Sequence, residues 1–194
     1  MTEKDREFIT VVSGLPRSGT SMMMRMFEAG GMPVLTDGIR QPDADNPNGY
    51  YEFEPVKQLS RNVSWLADAR GKAVKMVYRL LYSLPPHHQY KVILMNRHIG
   101  EIIASQAVML QRQGKKGPFS TATLTSLFTG DLQKLQTWLQ TQPNFVTLNL
   151  NYNSIVMNPH ASVNEIERFL NCPLDIKAMT RVFDISLYRQ RQHI

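Results

Sequence analysis

Residues 8–21 constrain the fold of this chain most: an apolar β-branched segment meets a short glycine loop, which opens a methionine-rich helix. Gly14 and Gly19 bracket four residues, the spacing of a loop that wraps a phosphate between a strand and a helix. Such loops usually continue with Lys and then Ser or Thr, but two hydroxyl residues follow Gly19 here. The cation lies inside the loop instead, as Arg17. The segment therefore predicts an anion site of unusual composition on a strand–loop–helix unit.

The loop offers several kinds of donor to an oxyanion. Backbone N–H groups and the start of the following helix favour negative charge. Side chains add a guanidinium fork and hydroxyl groups. We expect the whole loop to bind a phosphate or a related group, namely Pro16, Arg17, Ser18, Gly19, Thr20 and Ser21. The alternative is a glycine turn in which Ser18 or Thr20 only caps the helix; the strand before the loop and the helix after it favour the anion site.

Apolar segments of strand length alternate with amphipathic segments of helix length along the chain. Strands are predicted at residues 8–14, 32–36, 72–78, 91–97 and 145–152. Helices are predicted at residues 19–29, 54–69, 98–112, 121–140 and 160–170, with an irregular tail from Met179. Residues 145–152 alternate apolar and polar side chains, which favours a strand near the sheet edge. The alternation predicts an α/β fold, a three-layer doubly wound parallel sheet of the P-loop NTPase type, with ligands at the carboxyl ends of the strands.

Size and composition limit what the chain does. Its 194 residues and 42% hydrophobic content suit a single domain over residues 1–194. The net charge of +6 favours an anionic ligand, but no block of like charge or aromatic–basic pattern indicates nucleic acid. No apolar run is long enough to span a membrane, the N-terminus lacks signal-peptide order, and Cys172 is the sole cysteine. A single cysteine suits a reducing compartment, so we expect a cytoplasmic protein. We also expect no metal site, since the histidines and the cysteine lack metal-ligand spacing.

A second pair of candidate ligands lies at the end of the strand 91–97. Arg97 ends the strand, and Ser105 lies about two turns into the next helix. A guanidinium there repels Mg²⁺, and Thr20 replaces the lysine that P-loop NTPases place on the β- and γ-phosphates. The pattern therefore favours a nucleotide held without metal. It also favours transfer of a group that carries less charge than a terminal phosphoryl group, such as a sulfuryl group.

Two motifs together resemble those of sulfotransferases that use 3′-phosphoadenosine 5′-phosphosulfate. Residues 14–21, Gly-Leu-Pro-Arg-Ser-Gly-Thr-Ser, are similar to the 5′-phosphosulfate loop of the tyrosylprotein and carbohydrate branches. Residues 92–97, with Ser105 after them, are similar to the 3′-phosphate motif, and residues 187–191 more loosely resemble the basic C-terminal segment. The resemblance implies in-line transfer of a sulfuryl group to an acceptor hydroxyl or amine, leaving adenosine 3′,5′-bisphosphate.

The resemblance also implies roles for single residues. Arg17 would stabilise charge on the bridging oxygen and the transferring group, while Thr20 and Ser21 would bind the 5′-phosphate. Arg97 and Ser105 would bind the 3′-phosphate. The same nucleotide would be contacted by three residues of the tail, Tyr188, Arg189 and Arg191.

A general base must take the acceptor proton, and in the carbohydrate and tyrosylprotein branches it is a glutamate after the first helix. That segment offers Asp37, Glu52 and Glu54. We predict Glu52, where the long turn-rich loop 37–50 meets a predicted helix. For Glu52 and Glu54 the alternative is a charge that complements the helix dipole. Lys75 lies in an otherwise apolar strand, so it either reaches the sheet edge or points at the site.

Two other functions stay open from the sequence. One is a divergent P-loop kinase or NTPase, against which the missing lysine and strand-end aspartate argue. The other is a nucleotide-binding protein without catalysis. The expected partners are the nucleotide and a polar acceptor of unidentified structure. The predicted helix 121–140 packs either on the sheet or on a second subunit, so a homodimer also stays open.

Overall fold

Five parallel strands form one sheet in the computed structural model, which describes residues 7–184, 186, 188 and 189. They are β1 (Phe8–Gly14), β2 (Val34–Leu35), β3 (Ala73–Lys75), β4 (Gln89–Asn96) and β5 (Phe145–Asn151). Their order across the sheet is β2-β3-β1-β4-β5. The parallel sheet confirms the α/β prediction, and β5 lies at its edge, as the alternating pattern predicted.

Helices cover both faces of the sheet. They are α1 (Thr20–Ala29), α2 (Ile99–Arg112), α3 (Thr121–Gln140), α4 (Tyr152–Met157), α5 (Pro159–Leu170) and α6 (Ile176–Arg181). On β4, Val92 and Leu94 face a core shared with α2 and α3, while Ile93 and Met95 face a core shared with the other helices. Burial on both sides explains why β4 is an almost continuous apolar run. Within the described ranges, no helix combines the length and the apolar content needed to cross a membrane.

The register of β1 with its two neighbours positions the candidate residues. Gly14 pairs with Met95 on β4, so the glycine loop begins beside the segment that carries Arg97. Val12 pairs with Lys75 on β3. The loop after β1 therefore lies between two cationic side chains from the neighbouring strands, at the carboxyl edge where ligands of parallel sheets bind.

The helix predicted over residues 54–69 is wrong. Two short 3₁₀ helices, Glu54–Gln58 and Ser64–Leu66, occupy the segment instead. Between them, Asn62 Oδ1 accepts hydrogen bonds from the backbone N–H of Ser64 at 3.0 Å and from its hydroxyl at 2.8 Å. This local turn competes with the helical hydrogen bonds of the backbone in the segment between the two 3₁₀ helices.

Three shorter elements also differ from the predictions. β3 covers only part of the predicted strand 72–78, and a 3₁₀ helix (Tyr78–Ser83) follows it. No sequence pattern predicted α4, which begins where Asn151 Oδ1 accepts from two backbone N–H groups. The tail is helical through α6, which Asp175 caps, rather than irregular from Met179.

Candidate active site

An open cavity of about 470 Å³ lies at the carboxyl edge of the sheet, between the glycine loop, the loop 37–50 and α2. Most residues singled out from the sequence line it: Pro16, Arg17, Gly19, Thr20, Ser21, Glu52, Lys75, Arg97, Ser105 and Arg189. Four others lie beside or away from it, namely Ser18, Asp37, Glu54 and Tyr188. Arg191 lies outside the described residues. The fold therefore brings both predicted nucleotide motifs to one cavity.

The glycine loop depends on close backbone approach. At Gly19, φ is +100°, and a Cβ atom would lie 2.5 Å from the ring of Tyr152. At Gly14, a Cβ atom would lie 2.5 Å from the carbonyl oxygen of Met95. Arg17 has a φ of +79°, a conformation that costs a non-glycine residue about 1–3 kcal/mol. The surrounding loop thus holds Arg17 in a strained backbone geometry at the cavity wall.

Ser18 lies beneath the loop rather than in the cavity. Its side chain is fully buried, and its backbone N–H donates to the carbonyl of Leu15 at 3.1 Å. Within the described part of the chain, its hydroxyl has no hydrogen-bond partner. The hydroxyl fills the space beside Gly14. This placement gives Ser18 a packing role in the turn and does not favour direct contact with a ligand.

Arg17 joins the two nucleotide motifs. Its Nε donates to Ser105 Oγ at 2.9 Å, and its Nη2 donates to the carbonyl of Asp45 at 3.0 Å. Arg97 Nη1 donates in turn to the carbonyl of Arg17 at 3.2 Å. Burial lowers the pKa of Arg17, and the negative charge of Asp45 opposes that shift. The glycine loop, α2 and the loop 37–50 therefore meet at this guanidinium.

Lys75 points at the site rather than at the sheet edge. Its Nζ lies 3.3 Å from Ser21 Oγ and donates to the carbonyl of Tyr50, which Ser21 also contacts at 3.1 Å. Burial lowers the pKa of Lys75 to about 8, although the charge of Glu52 acts in the opposite direction. Lys75 is thus a cavity cation that is mostly charged at neutral pH and loses its charge at mildly alkaline pH.

The three candidate carboxylates differ in their surroundings. Glu52 lines the cavity and pairs with Arg40, whose Nη1 lies 2.6 Å from Glu52 Oε1. Asp37 accepts from the backbone N–H groups of Ile39 and Glu54, and these bonds hold its pKa below the usual value. The exposed Glu54 pairs with Lys57 at 2.7 Å. Of these three carboxylates, only Glu52 shares the cavity with Arg17 and Lys75.

Arg97 lies at the cavity wall with its guanidinium largely buried. Its Nε donates to Glu101 Oε2 at 2.8 Å, and its side chain is 8% exposed. Its Cζ lies 4.7 Å from the ring centre of Tyr152 and 5.4 Å from that of Tyr188. Tyr188 therefore contacts the proposed 3′-phosphate arginine, although it does not line the cavity itself.

A group of arginines holds one corner of the loop 37–50. Arg112 Nη1 lies 2.5 Å from Asp45 Oδ1, and Arg189 Nη1 donates to the carbonyl of Ala44 at 2.8 Å. Sequence analysis missed Arg112, although it lies seven residues after Ser105 and hence on the same face of α2. It also missed Arg40, which only the folded loop brings to Glu52. No sequence pattern pointed to that pair.

The wall beyond Glu52 is apolar. Phe53 and Val56 follow Glu52 in the chain and line the cavity, and Met76, Val77 and Leu80 line it from the segment after β3. Val77 is 44% exposed at this mouth. The cavity thus combines cationic and hydroxyl groups at the glycine loop with an apolar surface on its other side.

The sequence matches the model of one known protein family. A sequence model of the family described as "Sulfotransferase domain" matches residues 9–191. A comparison with curated proteins found no significant match. The matched range contains both nucleotide motifs and every described residue of the candidate site.

Solved structures share the fold at low sequence identity. The sulfotransferase STF1 from Mycobacterium tuberculosis has a TM-score of 0.59 and 18% identity, over 96% of this chain and 75% of that chain. The sulfotransferase domain from the curacin biosynthetic pathway has a TM-score of 0.54 and 16% identity, over 91% and 78%. Mouse sulfotransferase SULT7A1, solved with PAP, has a TM-score of 0.53 and 15% identity, over 91% and 63%. At these identities the similarity is one of fold.

Proposed function

Because the chain belongs to the sulfotransferase domain family, we propose that it transfers a sulfuryl group from 3′-phosphoadenosine 5′-phosphosulfate to an acceptor hydroxyl or amine. The observation that carries this proposal is the convergence of Arg17, Lys75, Arg97 and Ser105 on the cavity that also holds Glu52. Cations and hydroxyls at one end of a cavity suit a bisphosphorylated nucleotide. A carboxylate beside them suits removal of a proton.

Donor recognition is divided between the two motifs. Thr20, Ser21 and the N-terminus of α1 bind the 5′-phosphosulfate, since α1 presents its first N–H groups there. Arg97 and Ser105 bind the 3′-phosphate. The hydrogen bond between Arg17 and Ser105 spans the two positions, so both partners exchange it for donor oxygens when the nucleotide binds. Arg189 contacts the same nucleotide from the C-terminal segment, and Tyr188 acts through Arg97.

Charge on the reacting groups is handled by side chains. The acceptor oxygen or nitrogen forms a bond to sulfur as the bond between sulfur and the bridging oxygen breaks, and Glu52 accepts the acceptor proton. Negative charge develops on the bridging oxygen, where Arg17 and Lys75 stabilise it. With these cations in place, the site handles that charge without a metal ion. Of the alternatives for the base, neither Asp37 nor Glu54 lines the cavity: Asp37 accepts from the backbone N–H of Glu54, and Glu54 pairs with Lys57.

The acceptor contacts both kinds of surface. Its hydroxyl or amine reaches Glu52, while the rest of it lies along the apolar wall of Phe53, Val56 and Val77. An acceptor that combines one nucleophilic group with an apolar portion fits this arrangement. Contact between that portion and the wall removes apolar surface of both from water, which stabilises the bound acceptor. The sequence predicted a polar acceptor. The cavity requires that polarity only at the hydroxyl or amine that reacts, and the rest of the acceptor is apolar.

Calorimetric titration tests the proposal directly. Adenosine 3′,5′-bisphosphate is titrated without metal, and ATP is titrated separately with Mg²⁺. Tight binding of the bisphosphate that is lost in Arg97→Ala supports the donor assignment. A preference for magnesium-ATP overturns it in favour of a kinase or NTPase. Bisphosphate binding without consumption of 3′-phosphoadenosine 5′-phosphosulfate across an acceptor panel indicates a nucleotide-binding protein without catalysis.

A further inference from the structure

A buried carboxylate lies behind Arg97 and outside the cavity. The side chain of Glu101 is only 3% exposed, and its Oε2 accepts from Arg97 Nε at 2.8 Å. Glu101 belongs to the first turn of α2, four residues after Arg97. Burial of a charged carboxylate costs free energy of desolvation, even beside an arginine proposed to bind the nucleotide, unless hydrogen bonds compensate its charge. Its surroundings supply that compensation.

Donors from three separate parts of the fold converge on Glu101. Tyr188 OH donates to Oε1 at 2.7 Å, and Asn153 Nδ2 lies 3.2 and 3.3 Å from the two oxygens. Asn153 Nδ2 also donates to Tyr188 OH at 2.6 Å. The carboxylate thus links the end of β4, the α4 helix and the C-terminal segment. An ionised carboxylate suits this site because both of its oxygens only accept hydrogen bonds.

The same contacts restrict the orientation of Arg97. Nε is directed at Glu101, Nη1 at the carbonyl of Arg17, and the rings of Tyr152 and Tyr188 flank the guanidinium. A planar guanidinium with two fixed edges can rotate very little. The orientation of the guanidinium at the cavity wall is therefore set by the protein before any ligand arrives.

We propose that Glu101, together with Tyr188 and Asn153, is a positioning unit that aims Arg97 at the 3′-phosphate and thereby sets selectivity for 3′-phosphorylated adenosine nucleotides. This inference rests on the proposed function, because it takes Arg97 as the ligand of the 3′-phosphate. Glu101 is a positioning residue, since it acts through Arg97 without touching the donor. Through Tyr188, the C-terminal segment contributes a side chain to the same unit.

The test compares two ligands that differ only in the 3′-phosphate. Adenosine 3′,5′-bisphosphate and adenosine 5′-monophosphate are titrated calorimetrically into the wild type, Glu101→Gln and Tyr188→Phe. Glu101→Gln keeps the size of the side chain but replaces one acceptor oxygen with a donor, and replaces the ion pair with a hydrogen bond between the charged Arg97 and a neutral amide. We expect bisphosphate affinity to fall about tenfold, with monophosphate affinity nearly unchanged. Tyr188→Phe keeps the ring but loses the hydroxyl that donates to Glu101 and accepts from Asn153, so about a threefold fall is expected.

Glu165→Gln is the matched control, because it removes the same charge from an exposed position on α5. It should leave both affinities unchanged. Retained monophosphate binding shows that each variant is folded. Equal losses for both ligands, or no change, overturn the inference. Tighter bisphosphate binding in Glu101→Gln also overturns it, since it means that the carboxylate only cancels the charge of Arg97. A wild type that does not prefer the bisphosphate overturns the donor assignment itself, a distinct result.

Discussion

Arg17 Nε and Ser105 Oγ form a hydrogen bond of 2.9 Å across 88 residues of sequence. One residue belongs to the loop after the central strand, and the other to the helix after the neighbouring strand. The contact joins a residue of the predicted 5′-phosphosulfate loop to a residue predicted to bind the 3′-phosphate. The two predicted phosphate sites therefore lie within the reach of one arginine side chain. Under the proposed function, both partners must release each other to bind the donor.

Replacement of Arg17 should reduce the turnover rate strongly while the protein stays folded. Arg17→Ala is expected to lower kcat by about 10²- to 10³-fold, since it removes a preorganised donor to developing charge. Arg17→Lys should lie between, because it keeps the charge but not the guanidinium fork. Steady-state assays with the sulfuryl donor check this. Arg61→Ala, at an exposed position outside the cavity, should behave as the wild type. Full turnover in Arg17→Ala would contradict the mechanism.

Replacement of Glu52 should separate donor binding from catalysis. Glu52→Gln is expected to lower kcat by about 10²- to 10⁴-fold, because the general base is lost. Bisphosphate affinity should change little, since the phosphate ligands remain. Asp37→Asn and Glu54→Gln serve as controls and should retain most of the turnover, because neither side chain lines the cavity. If either control loses activity as Glu52→Gln does, the base has been assigned to the wrong carboxylate.

The lowered pKa of Lys75 predicts a dependence on pH. With a pKa of about 8, its charged fraction falls from about nine tenths at pH 7 to about one tenth at pH 9. The kcat/KM for the donor should fall correspondingly over this range, because kcat/KM reports the free enzyme. Lys75→Arg should flatten that limb, since a guanidinium stays charged. A wild-type profile that is flat from pH 7 to pH 9 would exclude a role for the charge of Lys75.

The lowered pKa of Lys75 also makes the free energy of unfolding depend on pH. This contribution rises with pH, whereas kcat/KM falls. Burial lowers the pKa of Lys75 in the folded chain, so between about pH 8 and the ordinary lysine pKa of 10.5 the unfolded chain binds more protons. The Lys75 contribution to the free energy of unfolding therefore rises with pH in this window. Urea titrations of the wild type and Lys75→Met should differ in this slope.

Gly19 and Gly130 should respond to alanine with opposite signs. Gly19→Ala puts a Cβ atom against Tyr152 at a positive φ, so we expect about 1–3 kcal/mol less free energy of unfolding. Gly130 lies in α3, where a Cβ atom meets nothing within 4 Å. Gly130→Ala should therefore add about 0.5–1 kcal/mol. Urea unfolding of both variants checks the pair; equal effects would contradict the close packing at Gly19.

The sequence predicted those parts of the fold that depend on local pattern. The run from Ile9 to Val12 indicated a strand covered on both faces, and the Gly14–Gly19 spacing indicated the loop after it. The helix over residues 54–69 failed because Asn62 and Ser64 form a local turn that periodicity does not register. Tertiary contacts between distant residues carried no sequence signal, and Arg40 beside Glu52 is the clearest case.

The candidate site shows the same division. Arg17, Arg97 and Ser105 could be named because their motifs have fixed spacing. Glu101 could not, because a glutamate in the first turn of a helix usually serves the helix dipole. Only the fold shows that it is buried and that Tyr188 and Asn153 contact it from other elements.

The corner of the loop 37–50 is fastened largely through main-chain atoms. Arg17 and Arg189 donate to the carbonyl oxygens of Asp45 and Ala44. Every residue type supplies such a carbonyl, so these two contacts survive changes of side chain at these positions, whereas the ion pair with Arg112 requires the Asp45 carboxylate. A loop fastened in this way is free to diversify its exposed side chains while its path over the cavity persists. Under the proposed function, substitutions in the loop change which acceptor is contacted without rebuilding the proposed nucleotide site beneath it.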